Sequence, residues 1–239
     1  MIITSVNNEK IKYLKKLKNT KFQQEEKLFL VEGEHLVNEA LKANALNLTV
    51  SLKDCNYGVE NIVVTSNVMK SISSLSSVPT VIGVCKYLEE KESLGNKVII
   101  LDGIQDPGNL GTIIRSSCAF GFTSVILSPN CVKKYNDKVI RATQGMLFKT
   151  NVVTKNLNEF IPTLISKGYD VYGTDVISGI DVKKVTKKEK IAVVMGSEGN
   201  GLSNEVKALI TKNIYINMSG ACESLNVAVA ASIIMHELR

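Results

Sequence analysis

The 239-residue sequence lacks any long hydrophobic run. Its apolar stretches, such as Val98–Leu101 and Ile191–Met195, fall far short of the roughly 20 residues that span a bilayer. The first eight residues contain no basic segment followed by a long apolar one, so we expect no secretory signal. These absences predict a cytoplasmic protein that is not embedded in a membrane.

Tryptophan is absent and histidine and cysteine are scarce. The two histidines, His35 and His236, are too few for a histidine-rich metal site. The cysteines are odd in number and form no CxxC pair: Cys55, Cys85, Cys118, Cys131 and Cys222. A disulfide framework and a structural zinc site are therefore disfavoured, and we expect no bound metal.

Arginine is also rare. Of the 29 basic residues 26 are lysine, and only Arg115, Arg141 and Arg239 are arginine. A genome that favours lysine codons explains the bias, but the remaining arginines then mark positions where lysine does not suffice. The net charge of +6 permits a polyanionic partner without requiring one. With 44% hydrophobic and 22% charged residues, the composition is that of a folded globular chain.

The first 90 residues predict a small α/β domain. A basic amphipathic helix, capped by Asn7 or Asn8, places Ile11, Leu14 and Leu17 on one face. Its lysines form either an ordinary solvated face or an RNA contact, and the pattern leaves both open. Short apolar strands then alternate with helices; the strands are expected at Phe29–Val31, Leu48–Val50, Ile62–Val64 and Thr80–Val84.

A charged segment, Tyr87–Lys97, is the best linker candidate, and it divides the chain into domains at 1–92 and 96–239. Beyond it, nearly continuous apolar strands alternate with helices, and the last helix is expected over Ser224–Leu238. This pattern predicts a parallel sheet covered by helices on both faces.

Three loops after strands of this sheet carry the residues best suited to chemistry, because ligands of open parallel sheets bind beyond the carboxyl ends of strands. The first, Asp102–Arg115, has a Pro/Gly turn before a helix that contains Arg115. The second, Val193–Ser203, has three glycines within six residues around Glu198, and Ser203 is suited to cap the next helix. The third, Ile214–Ala230, contains Asn226, and asparagine is a poor residue inside a helix unless its side chain has a partner.

Other common sites are not encoded. The sequence has no GxxxxGK[ST] phosphate loop, no GxGxxG after the first strand of either domain and no GxSxG elbow. Neither histidine lies near a candidate nucleophile, which disfavours a Ser-His-Asp triad.

The three loops together resemble the motifs of the SpoU (TrmH) family of RNA 2′-O-ribose methyltransferases in the SPOUT superfamily. The matching segments are Asn109-Leu110-Gly111-Thr112-Ile113-Ile114-Arg115, Met195-Gly196-Ser197-Glu198-Gly199-Asn200-Gly201-Leu202 and Ser224-Leu225-Asn226-Val227-Ala228-Val229-Ala230. Their order and spacing fit over about 140 residues, while Ala228 stands where family members often carry serine. The N-terminal region resembles an RNA substrate-binding domain similar in fold to kink-turn-binding ribosomal proteins.

The resemblance implies an α/β fold with a deep trefoil knot in the C-terminal domain, a homodimer, and S-adenosylmethionine as methyl donor. It places the donor on residues of the knot loops: Met195, Gly196, Gly201, Ile216, Met218, Ser224 and Leu225, with Gly173 and Thr174 as weaker candidates. It assigns activation of the ribose hydroxyl to Arg115, which Asn109, Glu198, Ser224 and Asn226 would orient. Because guanidinium does not readily lose a proton, we assign Arg115 to the developing oxyanion or the adjacent phosphate.

The predicted activity is therefore S-adenosylmethionine-dependent 2′-O-methylation of a ribose, with ribosomal RNA favoured over transfer RNA. A non-catalytic RNA-binding protein of the same fold and a small-molecule α/β enzyme are the alternatives. RNA would be held by lysine-rich clusters at Lys10–Lys21, at Lys133, Lys134, Lys138 and Arg141, and at Lys183–Lys190.

Overall fold

A computed structural model describes residues 2–175, 178–186, 188–220 and 223–239. The chain forms two compact units, one comprising residues up to Glu89 together with Tyr135–Phe148, the other Glu90–Lys134 with Lys149–Arg239. Cys222 lies outside the described residues.

The strands and helices follow one another along the chain in alternation. The strands are β1 (Ile2–Ile3), β2 (Leu28–Glu32), β3 (Leu46–Ser51), β4 (Glu60–Val64), β5 (Val81–Lys86), β6 (Lys97–Leu101), β7 (Ser124–Leu127), β8 (Asn151–Thr154), β9 (Asp170–Thr174), β10 (Ile180–Asp181), β11 (Ile191–Met195) and β12 (Asn213–Tyr215). The α-helices are α1 (Glu9–Lys16), α2 (Thr20–Glu26), α3 (Glu34–Lys42), α4 (Ser66–Ile72), α5 (Pro107–Ala119), α6 (Asp137–Thr143), α7 (Leu157–Ser166), α8 (Asn204–Leu209) and α9 (Val227–Glu237).

The first unit is built on a mixed five-stranded sheet in the order β1-β4-β3-β5-β2. The expected basic helix is α1, and Asn8 caps it by accepting a hydrogen bond from the Lys10 N–H at 3.0 Å. Ile11, Leu14 and Leu17 are buried against the sheet and α4, as the spacing predicts. Each such apolar side chain stabilises the fold by roughly 1.5–3 kcal/mol on burial.

The segment Tyr135–Phe148 belongs to the first compact unit although it follows the linker in the sequence. We expected it within the domain 96–239, yet its residues pack within the first unit. The Tyr135 ring stacks on Phe29 with centroids 4.5 Å apart, and it also meets Tyr87 at 4.0 Å. The sequence hides this arrangement because the aromatic partners lie about 50 to 100 positions away.

The second unit is built on a seven-stranded sheet in the order β10-β12-β9-β11-β6-β7-β8. Every described strand pair in it is parallel, which confirms the predicted parallel sheet. All five residues of β11 are buried, so both faces of this strand are covered. Helices α7 and α8 cover one face, with Ile161, Leu164 and Val206 packed on alternate strand residues.

The last helix is shorter than predicted. It begins at Val227 rather than Ser224, because Asn226 adopts the N-cap position and accepts hydrogen bonds from the N–H groups of Ala228 and Val229. Ser224 therefore lies in the preceding loop. Helix α9 packs on α5, where the Ser232 hydroxyl donates to the Ser116 hydroxyl oxygen at 2.8 Å.

Two features of the described residues concern membranes and metal ions. None of the helices in the described ranges is both long and apolar enough to cross a membrane. Within those same ranges, no group of three or more His, Cys, Asp and Glu side chains is arranged to hold a metal ion.

Candidate active site

The three sequence motifs meet at one edge of the parallel sheet. The loops that follow β6, β11 and β12 all leave from carboxyl ends of strands, which lie on the same side of a parallel sheet. Strand β9, which ends with Gly173 and Thr174, lies between β12 and β11. The fold thus brings every predicted loop to the same region.

One side chain from each motif joins a continuous chain of hydrogen bonds. The Asn226 amide Nδ2 donates to Asn109 Oδ1 at 2.9 Å, and Asn109 Nδ2 donates to Glu198 Oε1. In the sequence, Asn109 lies 117 positions from Asn226 and 89 positions from Glu198. The structure therefore brings together Asn109, Glu198 and Asn226, as the motifs predicted.

The direction of this chain is fixed by the cap of α9. Asn226 Oδ1 accepts two backbone N–H groups, at 2.9 and 3.3 Å, and only the amide oxygen can accept them. Its Nδ2 must therefore face Asn109, whose oxygen accepts and whose Nδ2 is left for the next acceptor. The chain ends on Glu198, a carboxylate, which accepts without having to donate.

Arg115 stands apart from this chain. It lies on α5 with an exposed side chain, and it makes no hydrogen bond or ion pair with any other residue in the described ranges. Six positions separate it from Asn109, which places the two side chains about 120° apart around the helix. Within the described residues no contact joins Arg115 to Asn109, Glu198 or Asn226, so the orientation of Arg115 by these residues stays a prediction.

The loop Gly196–Leu202 is folded tightly on itself. Ser197 and Gly201 exchange backbone hydrogen bonds of 3.0 Å in both directions. A Cβ at Gly196 would collide with the main chain of Gly201 and Leu202, so only glycine permits this closure. A Cβ at Gly199 would meet no atom within 4 Å, so the space beside the tip of the loop is open.

The third loop offers main-chain donors. In the described part of the chain, the N–H groups of Ile216, Met218 and Leu225 find no hydrogen-bond acceptor. Ile216 and Met218 are half-buried, so their side chains also present apolar surface. Ser224 lies beside them and is exposed. A ligand with polar edges would satisfy these donors.

The two weaker candidates at the end of β9 have structural contacts of their own. A Cβ at Gly173 would approach Leu202 and Ile210 to 3.1 Å, so this glycine allows α8 and its flanking loop to pack on the strand. The Thr174 hydroxyl donates to the Val194 carbonyl at 3.1 Å. Both contacts belong to the packing of the sheet edge.

Two aspartates that were not predicted as site residues support the first loop. Asp106 caps α5 by accepting from the Asn109 N–H at 2.8 Å, a cap that its position before Pro107 and Gly108 could have indicated. Asp102 is only 6% exposed and accepts from the Ser203 N–H at 2.8 Å. No local pattern predicts that contact, because its partner lies 101 positions away.

Several lysines of the predicted RNA-binding clusters are engaged in ion pairs or hydrogen bonds within the protein. Lys10 and Lys12 pair with Glu60 and Glu9, while Lys15 and Lys18 donate to backbone carbonyls. Lys134, with a side chain only 12% exposed, pairs with Glu90 at 2.7 Å. Burial lowers the pKa of Lys18. Lysines with such local partners serve the fold as well as the surface charge.

Two family models match separate parts of the chain. The model of the SpoU rRNA Methylase family matches residues 96–236. The model of the MRM3-like substrate binding domain matches residues 8–83.

Individual proteins resemble the chain over nearly its whole length. The 23S rRNA (guanosine(2553)-2′-O)-methyltransferase RlmP of Bacillus subtilis is 34% identical, with 99% of this chain and 98% of that protein aligned. The AdoMet-bound rRNA methyltransferase from Sinorhizobium meliloti superposes with a TM-score of 0.90 at 27% identity, over 100% and 97% of the two chains. The SpoU methyltransferase AviRb from Streptomyces viridochromogenes, at 22% identity, has the same fold with a TM-score of 0.87 over 97% of each chain.

The family match covers more than half of the chain and includes all three motifs that the fold brings together. The full-length likeness to the Bacillus subtilis protein agrees with it. This chain therefore belongs to the SpoU rRNA methylase family.

Proposed function

We propose that this protein transfers a methyl group from S-adenosylmethionine to a ribose 2′-hydroxyl of 23S ribosomal RNA. The carrying observation is the directed hydrogen-bond chain Asn226–Asn109–Glu198, which unites the three family motifs beside two loops of open main chain. Membership in the family and the 34% identity to the Bacillus subtilis enzyme support ribosomal RNA as substrate. We infer that the target is the guanosine equivalent to the one in that enzyme's name.

The residues of the site fit S-adenosylmethionine. The closed loop at Gly196 and Gly201 offers a main-chain surface, and the N–H groups of Ile216, Met218 and Leu225 supply donors for the polar edges of adenine and for a carboxylate. The half-buried Ile216 and Met218 and the buried Met195 supply apolar contact for a flat base. When bound, this donor contributes a methyl group that is already activated on a positive sulfur.

The protein's remaining tasks are to position the ribose and to manage its hydroxyl proton. Asn109 and Glu198, fixed by Asn226, present an amide and a carboxylate with which ribose hydroxyls can hydrogen-bond. The exposed Arg115 guanidinium stabilises the developing 2′-oxyanion or grips the neighbouring phosphate. Ser224, exposed in the third loop, is a further candidate contact to the ribose or the donor.

The proposal includes a homodimer. Arg115 has no partner among the described residues, and Val229 leaves 47% of its surface exposed on α9, the helix that packs on α5. A second copy that covered this apolar surface would also bring new polar groups to the arginine. The trefoil knot belongs to the proposal as well; the strand order, in which β9 and β11 lie between β12 and β6, supports a chain that crosses back on itself.

The proposal keeps the two functional regions 1–92 and 96–239, with 1–92 resembling kink-turn-binding ribosomal proteins and holding the RNA. The substrate-binding model over residues 8–83 supports this role. A 23S rRNA substrate implies a cytoplasmic protein, and no step of the proposed reaction uses a metal.

The test uses the purified protein, S-adenosylmethionine with a labelled methyl group, and ribosomal RNA from a strain without this protein. Calorimetry is expected to show donor binding, and label is expected in 23S rRNA but not in the same RNA from the parent strain, which is already methylated. Arg115→Ala is expected to abolish transfer. Label found only in transfer RNA would show that transfer RNA, not ribosomal RNA, is the substrate. RNA binding without donor binding would favour the non-catalytic alternative.

A further inference from the structure

Asp102 contacts both ends of the loop that carries Glu198. The loop Gly196–Leu202 begins after Met195 and ends before Ser203. The Asp102 backbone N–H donates to the Met195 carbonyl at 2.9 Å, and its carboxylate Oδ2 accepts from the Ser203 N–H at 2.8 Å. One residue at the carboxyl end of β6 thus ties both ends of a seven-residue loop.

The carboxylate is buried, with Asp102 only 6% exposed. A buried carboxyl group is costly unless it is hydrogen-bonded, and the Ser203 N–H supplies that hydrogen bond. The next residue continues the support, since the Gly103 N–H donates to the Ser128 hydroxyl oxygen at 2.9 Å. The end of β6 is therefore a rigid point to which the loop is attached.

We propose that Asp102 is a positioning residue for S-adenosylmethionine, which it serves by holding the Gly196–Leu202 loop in its binding shape. This inference rests on the proposed function, because that function makes the loop a binding surface for the donor. Asp102 does not touch the reacting atoms. Its carboxylate acts through the Ser203 N–H, whereas its backbone N–H continues the β6–β11 ladder to the Met195 carbonyl.

Substitutions at either partner separate the contact from general stability. Asp102→Ala removes the acceptor, whereas Asp102→Asn keeps an amide oxygen of the same shape that can accept from Ser203. Ser203→Pro removes the donor N–H, and the backbone φ of −63° at this position suits proline. Ser203→Ala is its control, because it loses only the hydroxyl that caps α8 through the Val206 N–H.

The experiment measures donor affinity by calorimetry, the KM values for donor and RNA, and hydrogen exchange of the loop amides without donor. Asp102→Ala and Ser203→Pro are expected to weaken donor binding about 10- to 100-fold and raise the donor KM alike, with the RNA KM unchanged. Asp102→Asn and Ser203→Ala are expected to stay within about threefold of wild type. In Asp102→Ala and Ser203→Pro, the amides of residues 197–201 are expected to exchange faster than in the wild-type protein.

Wild-type donor affinity in Asp102→Ala, or a failure of Asp102→Asn to restore it, would overturn the inference. If the wild-type protein itself bound no donor, the proposed function would fail instead. The hydrogen-exchange comparison would still decide whether Asp102 holds the loop, since it needs no donor. Unchanged exchange in both Asp102→Ala and Ser203→Pro would contradict that anchoring.

Discussion

Asn226 performs two tasks with one amide. Its oxygen caps α9, and its nitrogen donates to Asn109, which in turn donates to Glu198. An asparagine meets both needs, whereas an ionised aspartate at the cap would supply the acceptor but no donor. The sequence had indicated that Asn226 needs a partner, but not that the helix begins after it.

Asn226→Asp separates these two tasks. The carboxylate still caps α9, and its charge is favourable at a helix N-terminus. The donor to Asn109 is lost, so Asn109 is expected to turn its nitrogen toward the new carboxylate and its oxygen toward Glu198. Methyl transfer is expected to fall roughly 10- to 100-fold, the value of one hydrogen bond to a charged group. Single-turnover assays with saturating donor measure this.

The matched control is Asn226→Ala, which loses the cap as well. It is expected to lower the stability of the fold by about 1 kcal/mol, whereas Asn226→Asp leaves stability within about 0.5 kcal/mol. Thermal unfolding measures both. Full activity in Asn226→Asp would show that the direction of the hydrogen-bond chain does not matter for the reaction.

Tyr13 gives the fold a dependence on alkaline pH. Burial, together with the hydrogen bond to Glu26 at 2.6 Å, raises the pKa of its hydroxyl to about 12. Since this pKa is above the ordinary value of 10, the contribution to stability is fully present below pH 10 and is lost as the pH rises to about 12.

The test compares the urea midpoints of wild type and Tyr13→Phe at about pH 9 and pH 11.5. Phenylalanine keeps the edge contact with Phe22, whose ring centroid lies 5.4 Å away, but has no proton to lose. The midpoint is expected to fall less with pH in the variant. Equal falls would show that Tyr13 does not titrate in this range.

At the scale of elements, the Gly196–Leu202 loop depends on one glycine and tolerates change at another. Gly196→Ala places a methyl group against the main chain of Gly201 and Leu202, whereas Gly199→Ala meets open space. Overpacking of this kind costs about 1–3 kcal/mol, so donor affinity in Gly196→Ala is expected to fall roughly 5- to 150-fold. Calorimetry on both variants checks this, and equal affinities would contradict the loop's assigned role.

The basic surface of α1 and α2 yields a prediction about RNA. Lys16 lies over the Phe22 ring at 5.7 Å, and the Lys21 side chain makes no hydrogen bond or ion pair within the described ranges, so these two charges remain available. The double change Lys16→Ala and Lys21→Ala is expected to reduce the slope of log K against log salt by about 2.

Lys134→Ala is the control for this measurement. Lys134 is mostly buried and engaged with Glu90, so its loss is expected to lower stability while the salt slope changes by less than that of the double variant. Fluorescence titrations of an RNA fragment at several salt concentrations supply the slopes. An unchanged salt slope in the double variant would show that these lysines of α1 and α2 do not contact RNA.

Elements with strong local signals were predictable. The amphipathic spacing of Ile11, Leu14 and Leu17 gave α1, and the continuous apolar run Ile191–Met195 gave the central strand β11. Short elements were missed: α2, β1 and β10 have seven residues or fewer, and their patterns resemble loops. Ser203 could be predicted as a cap because the signal lies within three residues of its partner Val206.

At the scale of the whole molecule, the family motifs identified the site but not its internal geometry. They predicted that Asn109, Glu198 and Asn226 act together, and the fold brings them into one hydrogen-bond chain. They did not predict that Arg115 points elsewhere, because that depends on the rotation of α5. The docking of Tyr135 on Phe29 was equally beyond sequence pattern, since contacts between distant residues leave no local signal.

The central claim is that the methyl group goes to one ribose of 23S rRNA. The most direct measurement treats 23S rRNA from the deletion strain with the purified protein and S-adenosylmethionine, and then maps alkaline cleavage along the RNA. A 2′-O-methyl group blocks cleavage at its own nucleotide. The account therefore predicts a single new gap in the ladder, at the guanosine equivalent to the one in the name of the Bacillus subtilis enzyme. Methyl label in the RNA with an unbroken cleavage ladder would place the methyl group on a base and contradict the account.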